Sequence, residues 1–396
     1  MNSERPREYD AVLGGQAPPP TDGAVLGGIE GIKRRLDSND INVKIKALSN
    51  AIEYGNIGLD LVINSFKKDK SEDIRNAAYL LLHKRTETRV KEFLQSYERW
   101  NLFTYLYTLE GDVDDLSCMA ISPNGQTLFS GDLKGNIRVW DLNTRKLKYV
   151  QPAKSGPILS LDISIDGKSL ASGSVHLNYI KIWNIEPESL EQRFILKDQR
   201  GGQVESLAFS ADGQNVFSLC PYGSTIKWDL MTGKWQRFEG DKWAAQRFAI
   251  SHNRQSIVTG MHEVNLWDTT TGKLKKALQP ARYHVYYLFI SNDEKTIIGY
   301  CENNIINIWD VDTGSILNEF SLHSAPIISL AISNDGETLI GSTWDNTIKI
   351  WDLNNLKLRK TLSENSKYPQ RVILSPDEKL IISGRDYDCI RVWGIP

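Results

Sequence analysis

Seven tryptophans recur at nearly constant spacing along the last three quarters of the chain. They are Trp140, Trp183, Trp228, Trp267, Trp309, Trp351 and Trp393, separated by 43, 45, 39, 42, 42 and 42 residues. In five cases the next residue is Asp (141, 229, 268, 310 and 352), and Trp183-Asn184 and Trp393-Gly394 are degenerate copies in the same phase. Ahead of each Trp runs a short β-rich stretch such as NIRVW, YIKIW or CIRVW, alternating in period two. About 18 residues before most of these Trp stands a turn signal: SPNG at 122, SIDG at 164, SADG at 210 and SNDG at 333, with SHNR at 251, SNDE at 291 and SPDE at 375 completing the set. Seven turns and seven Trp in phase over nearly 300 residues define a repeat, and a repeat constrains the fold more than any local propensity does.

Each unit reads as strand, Asp/Gly turn, strand, tight turn, strand ending in Trp, then a fourth strand such as KLKYV or LRKTL. One four-stranded antiparallel unit cannot bury both its faces, so it must stack on its neighbours, and a closed ring of such units is a β-propeller. The units resemble WD40 repeats, and the resemblance covers residues 102–396. It implies a mainly β fold, a seven-bladed WD40 β-propeller, in which the Trp packs between blades and the following Asp fixes the turn after the third strand. Closure is also expected. The last unit ends at Trp393 without a fourth strand, while the alternating segment LFTYLYTL at 102–109 has no partner of its own. It is expected to complete the last blade and so remove both sheet edges.

By the family's pattern only the sixth unit is complete. His323, Thr343, Asp345 and Trp351 match the hydrogen-bonded set that WD40 blades often bury, which is a structural role. The Asp position is Lys134, Leu177, Tyr222, Met261, Asn303 and Tyr387 in the other units. Those six blades are therefore expected to lack polar pinning and to rest on apolar packing.

Residues 1–28 form a Gly/Pro-rich tail containing a direct repeat, AVLGG at 11–15 and again at 24–28, on either side of Pro18-Pro19-Pro20. Neither phosphate-loop pattern is present, and an extended apolar clip is the expected form. Over 29–99 the period becomes helical. Val43, Ala47, Leu48 and Ala51 recur as Ile74, Ala78, Tyr79 and Leu82, an offset of 31 residues. Leu59–Phe66 and Val90–Leu94 give second helices, Asn56–Gly58 and Arg85–Glu87 are read as breaks, and Asp40 and Ser71 as N-caps. Paired helices at this period resemble HEAT-type repeats, giving a small all-α HEAT-like domain ahead of the ring. The segment from YDAVLGG through EDIRNAAYLLLHK is also similar to a bacterial N-terminal module found ahead of WD40, kinase and other domains.

Composition limits the partners. With 47 basic and 49 acidic residues the formal charge is −2, so the chain lacks the basic field that drives nucleic-acid binding or a polybasic membrane tether. No apolar run is long enough to span a bilayer, and MNSERPREYD has no apolar leader core. The four cysteines (118, 220, 301 and 389) are dispersed, as expected of reduced thiols in a cytoplasmic protein. No catalytic motif, metal-ligand spacing, cofactor loop or small-molecule site is recognisable; Asp112, Asp114 and Asp115 lack the Glu that a calcium loop requires.

The loops that open the blades carry aromatic residues and Arg where small polar residues would serve a mere connection. They hold Trp243 and Arg247 in the fourth unit, Arg282, Tyr283 and Tyr286 in the fifth, and Tyr368 and Arg371 in the seventh. Trp344 lies beside Asp345 at the same mouth. These residue types are enriched in interface hot spots, although rings of this kind also pack between blades. The expected role is a non-enzymatic scaffold or adaptor binding protein partners at this mouth and through the helical module. The rival role is a sensor or regulatory subunit for a separate effector in a bacterial conflict or signalling system. A hydrolase or lyase in the central channel would require converging carboxylates there.

Overall fold

The computed structural model describes residues 28–96, 99–109, 115–175, 179–197, 203–220, 224–238, 247–261, 263–322, 324–363, 371–384 and 389–395. These divide into two compact units, 28–102 and 103–395.

The second unit is a seven-bladed β-propeller of four-stranded antiparallel sheets. Within each blade the strands a to d follow chain order from the channel outward. Blade 1 shows the pattern, with a at Leu116–Ile121, b at Thr127–Asp132, c at Asn136–Asp141 and d at Lys146–Pro152. In the seventh blade the fourth strand comes from the start of the unit. Thr104–Thr108 pairs antiparallel with Ile390–Gly394, so the ring closes through hydrogen bonds between its two ends.

The repeated turn between strands a and b explains why Ser begins every copy. The hydroxyls of Ser122, Ser164, Ser210, Ser251, Ser291, Ser333 and Ser375 donate to the Asp or Asn two residues on. Each also accepts the backbone N–H five residues on, which opens strand b. The fourth turn residue is left-handed in every blade. Glycine fills it in four, and Arg254, Glu294 and Glu378 fill it in the others. Those three side chains each reach another blade. Arg254 pairs with Asp162 of blade 2, Glu294 accepts from Ser256 of blade 4, and Glu378 accepts the N–H of Asn334 of blade 6.

All seven repeat tryptophans are buried on strand c, and six of them, all but Trp393, pack with core residues of the preceding blade. An aromatic of that size removes about 200 Å² from water, on the order of 5 kcal/mol of hydrophobic driving force per blade. The following Asp ties the c–d turn by accepting the backbone N–H groups ahead of it, at Asp141, Asp229, Asp268, Asp310 and Asp352.

Polar pinning is commoner than the sequence pattern implied. In five blades the buried indole N–H donates to a hydroxyl on strand b at 2.8–3.0 Å: Trp140 to Ser130, Trp183 to Ser172, Trp228 to Ser218, Trp267 to Thr259 and Trp393 to Ser383. Blade 1 adds a buried ion pair, Arg138 with Asp132, whose carboxylate also accepts from Asn136. The expectation of six blades without polar pins was drawn from one position, whereas the pins come from another.

The first unit is helical: α1 (Gly28–Leu36), α2 (Ile41–Ala51), α3 (Gly55–Lys68), α4 (Glu72–His83) and α5 (Thr88–Ser96). Helix α2 packs against α1, α3 and α4. Its core takes Ala47, Leu48 and Ala51 together with Ile74, Ala78, Tyr79 and Leu82, so both copies of the 31-residue pattern point inward. Asp40 caps α2 by accepting the N–H groups of Asn42 and Val43. Ser71 precedes α4 without a side-chain cap bond. Asn56–Gly58 is not a break but the first turn of α3. A Cβ on Gly58 would lie 1.7 Å from the carbonyl oxygen of Ala51, so this glycine permits close approach, while the chain reverses at Gly55, whose φ is +58°.

Candidate functional site

Strand a runs away from one mouth of the ring and strand b returns to it. That mouth therefore collects the loops that open the blades and the b–c turns. Behind it a channel of about 670 Å³ is lined by the inner strands of all seven blades. Ser and Tyr hydroxyls tie neighbouring inner strands around the channel: Ser117 donates to the carbonyl of Ile158, Ser160 to that of Val204 at 2.9 Å, and Tyr287 to that of Ile328 at 2.5 Å. Glu205 and Arg371 are its charged lining residues. No carboxylate pair converges there, and no cluster of three potential metal ligands occurs, among the described residues.

The sequence-selected residues separate by environment. Trp344 is 63% exposed at the b–c turn of blade 6, where its backbone N–H donates to Pro326. Tyr286 is also exposed, beside Tyr300 with ring centroids 6.2 Å apart. Tyr283, by contrast, packs against the core between blades 4 and 5, and the Arg282 guanidinium sits over its ring at 5.4 Å. Arg371 opens the inner strand of blade 7 and lines the channel. Arg247 opens that of blade 4, pairing with Gly260. Trp243, Tyr368 and His323 lie outside the described residues, as do Asp112 and Asp114.

Of the four residues grouped in blade 6, Thr343 donates to Asp345 at 2.5 Å, and Thr347 and Lys349 bond the same carboxylate at 2.6 and 2.5 Å. Burial by itself would raise the Asp345 pKa, but those three bonds outweigh it and hold the carboxyl down to about 2. Trp351 stands apart from this network, opposite Leu339 on strand b, with its six-membered ring against Gly341. Thr347 and Lys349 take positions that a Trp-anchored set did not anticipate.

Glu205, Tyr287, Ser117 and Cys118 of the channel were not singled out from sequence. Alternation on strand a marks which residues face the channel but says nothing about which of them matter. Burial pushes the Cys118 thiol up to about 11 and that of Cys301 up to about 12, which disfavours the thiolate at both.

The repeat geometry can now be set beside known proteins. The family model "WD domain, G-beta repeat" matches residues 103–141, 145–184 and 314–352. Those three stretches of the ring match WD40 repeats. The β-propeller domain of Myceliophteria thermophila Cps50 (Swd1) superposes with a TM-score of 0.64, covering 74% of this chain and 100% of that one at 16% identity, which is a likeness of fold. Among sequence relatives, Arabidopsis thaliana autophagy-related protein 16 is 26% identical over 174 residues, 43% of this chain and 33% of its own length. Candida albicans small ribosomal subunit protein RACK1 is 32% identical over 127 residues, 31% of this chain and 39% of its own. The Arabidopsis thaliana guanine nucleotide-binding protein subunit beta is 26% identical over 133 residues, 32% of this chain and 33% of its own. The chain thus spans a third to two fifths of the length of these relatives. No described helix is long and apolar enough to cross a membrane.

Proposed function

We propose that this WD40 ring is a non-catalytic scaffold that docks protein partners at the mouth formed by its blade-opening loops and b–c turns. The observation that carries the reading is Trp344, a tryptophan 63% exposed on the b–c turn of blade 6, in a ring whose inner strands are tied blade to blade. A rigid platform offering Trp, Tyr and Arg loses little entropy on binding, which suits a hub of contacts. Two of the similar proteins bear names of assembly components, a small ribosomal subunit protein and a subunit of a guanine nucleotide-binding protein. The raised thiol pKa values speak against Cys118 and Cys301 as catalytic groups. The helical unit serves as a second contact module in this reading, of HEAT-like type by its 31-residue period.

The test is a combined Trp344→Ala, Tyr286→Ala, Arg371→Ala variant. Its circular dichroism and melting curve should match the parent, and cross-linked partners recovered from cells should fall at least tenfold. Unchanged partner recovery with an intact fold would rule this mouth out.

A further inference from the structure

The opposite mouth has a different chemistry. The seven a–b turns lie around it, and together they carry eight carboxylates against four cations, a net of −4. Five turns have Asp at the third position, and Asp166, Asp212, Asp293, Asp335 and Asp377 are all exposed. In each, Oδ1 accepts both from the turn Ser and from a backbone N–H. The other oxygen is engaged only at Asp377, by Lys379 at 3.5 Å, among the described residues. The Ser hydroxyl and backbone bonds hold Asp166 and Asp293 below the ordinary carboxylate range, so these two keep their charge in mild acid.

Inside this rim the floor is mainly aliphatic. A funnel of about 520 Å³ is lined by Ile121, Ile163, Ile165, Ile373 and Leu374, with Ile165 47% exposed, and its polar lining includes His252 and the Arg254–Asp162 ion pair. Its volume lies within the range of sites that hold a ligand group. That ion pair also braces the funnel wall: Arg254 donates to both oxygens of Asp162 and to the carbonyls of Phe209 and Ile163, joining blades 2, 3 and 4 and leaving its cation neutralised. A largely apolar hollow among turns of net negative charge repels polyanions and anionic membranes, and it leaves a purely apolar segment without partners for those turns.

We propose that this end of the ring is a second docking surface, which takes a segment of a partner protein carrying a large aliphatic side chain flanked by Lys or Arg. The aliphatic group enters the funnel, and the flanking cations meet the free carboxylate oxygens of the rim.

The repeat itself supplies the control. In two turns the Asp position is Asn124 or Asn253, and these make the same Ser and backbone bonds. Replacing the five Asp by Asn therefore removes charge while keeping every turn bond. The full chain would be panned against phage displaying random dodecapeptides, and the leading peptide measured by fluorescence anisotropy. Enriched sequences should place Leu, Ile or Met between Lys or Arg. Binding should weaken at least tenfold in the five-Asn variant and in Ile165→Arg, fall with added salt, and stay unchanged in Trp344→Ala/Arg371→Ala. If the five-Asn chain fails to melt cooperatively, Ile165→Arg, an exposed position, carries the test alone. The assignment is overturned if nothing is enriched, if the peptides lack cations, if both variants bind at parental strength, or if binding is lost at the Trp344 mouth. Gel filtration showing self-association that the five-Asn variant abolishes would replace the partner segment with a second copy of this chain.

Discussion

Blades 1 and 5 solve the same packing problem in opposite ways. In blade 1 the Trp140 indole lies beneath Ser130 and donates to its hydroxyl. In blade 5 the corresponding strand residue is Gly299, over which the Trp309 ring slides, and the indole N–H reaches out to the carbonyl of Gln279 at 2.8 Å. Gln279 belongs to the connection between blades 4 and 5, so the pin moves from within a blade to the joint between two. Blade 6 has glycine at the same place, Gly341. A buried tryptophan can thus be fixed by an added hydroxyl or by closer approach, and each solution excludes the other at that strand position.

The largest effect should come from forcing the hydroxyl-bearing geometry on blade 5. A Cβ on Gly299 would stand 2.7 Å from Cζ3 of Trp309 and 2.9 Å from its Cη2, against a fully buried ring with nowhere to retreat. Gly299→Ala should destabilise the ring by about 2–3 kcal/mol through overpacking, read as a lowered urea midpoint. Gly341→Ala should cost less, about 1 kcal/mol, because its nearest neighbour is the end of the Leu330 side chain at 2.9 Å. Equal effects at the two sites would mean that the rings are not what decides.

The converse change acts on blade 1. Ser130→Ala leaves the Trp140 N–H buried without an acceptor and should cost about 1–2 kcal/mol, with near-UV circular dichroism reporting the tryptophan environment. Ser130→Thr keeps the acceptor, as Thr259 does for Trp267, and should recover most of the loss. A neutral Ser130→Ala would reduce the hydroxyl to a space filler and dissolve the contrast with Gly299.

These pins also show where the sequence could be read and where it could not. The Trp, the Asp after it and the Ser-led turn each recur at a spacing set by strands of nearly fixed length, so blade number and ring closure follow from counting. The hydroxyl partners lie 10, 11, 10, 8 and 10 residues before their Trp, because the b–c turn between them varies in length. No fixed offset reveals them, although the antiparallel register does: each sits two residues beyond the residue paired with the Trp, as Ser130 does beyond Leu128. The same limit applies to Gly58, where the helical period is clear but the approach of Ala51 is a tertiary fact. For the candidate site, aromatic loops stood out by residue type, yet only burial separates exposed Tyr286 from packed Tyr283. The aliphatic funnel was hidden for another reason. Its turns served as phase markers, and their convergence on one mouth exists only once the ring closes.

Between the pinned and the glycine blades lies a third device, the Asp345 network of blade 6, and it should have the smallest effect. The folded-state pKa of Asp345 is held to about 2, below the ordinary carboxylate value of 3.8, so its contribution is full above the unfolded value and disappears as pH falls through the folded one. The stability difference between the parent and Asp345→Asn should therefore be level at neutral pH and shrink between about pH 4 and pH 2. Because the Asp345 side chain is 41% exposed, solvent screens the Lys349 pair and the plateau should be well below the loss caused by Ser130→Ala. Urea midpoints of the two proteins at successive pH values measure this directly. A difference that grew toward pH 2 would show that Asp345 opposes folding, and blade 6 would then rest on Gly341 and its tryptophan alone.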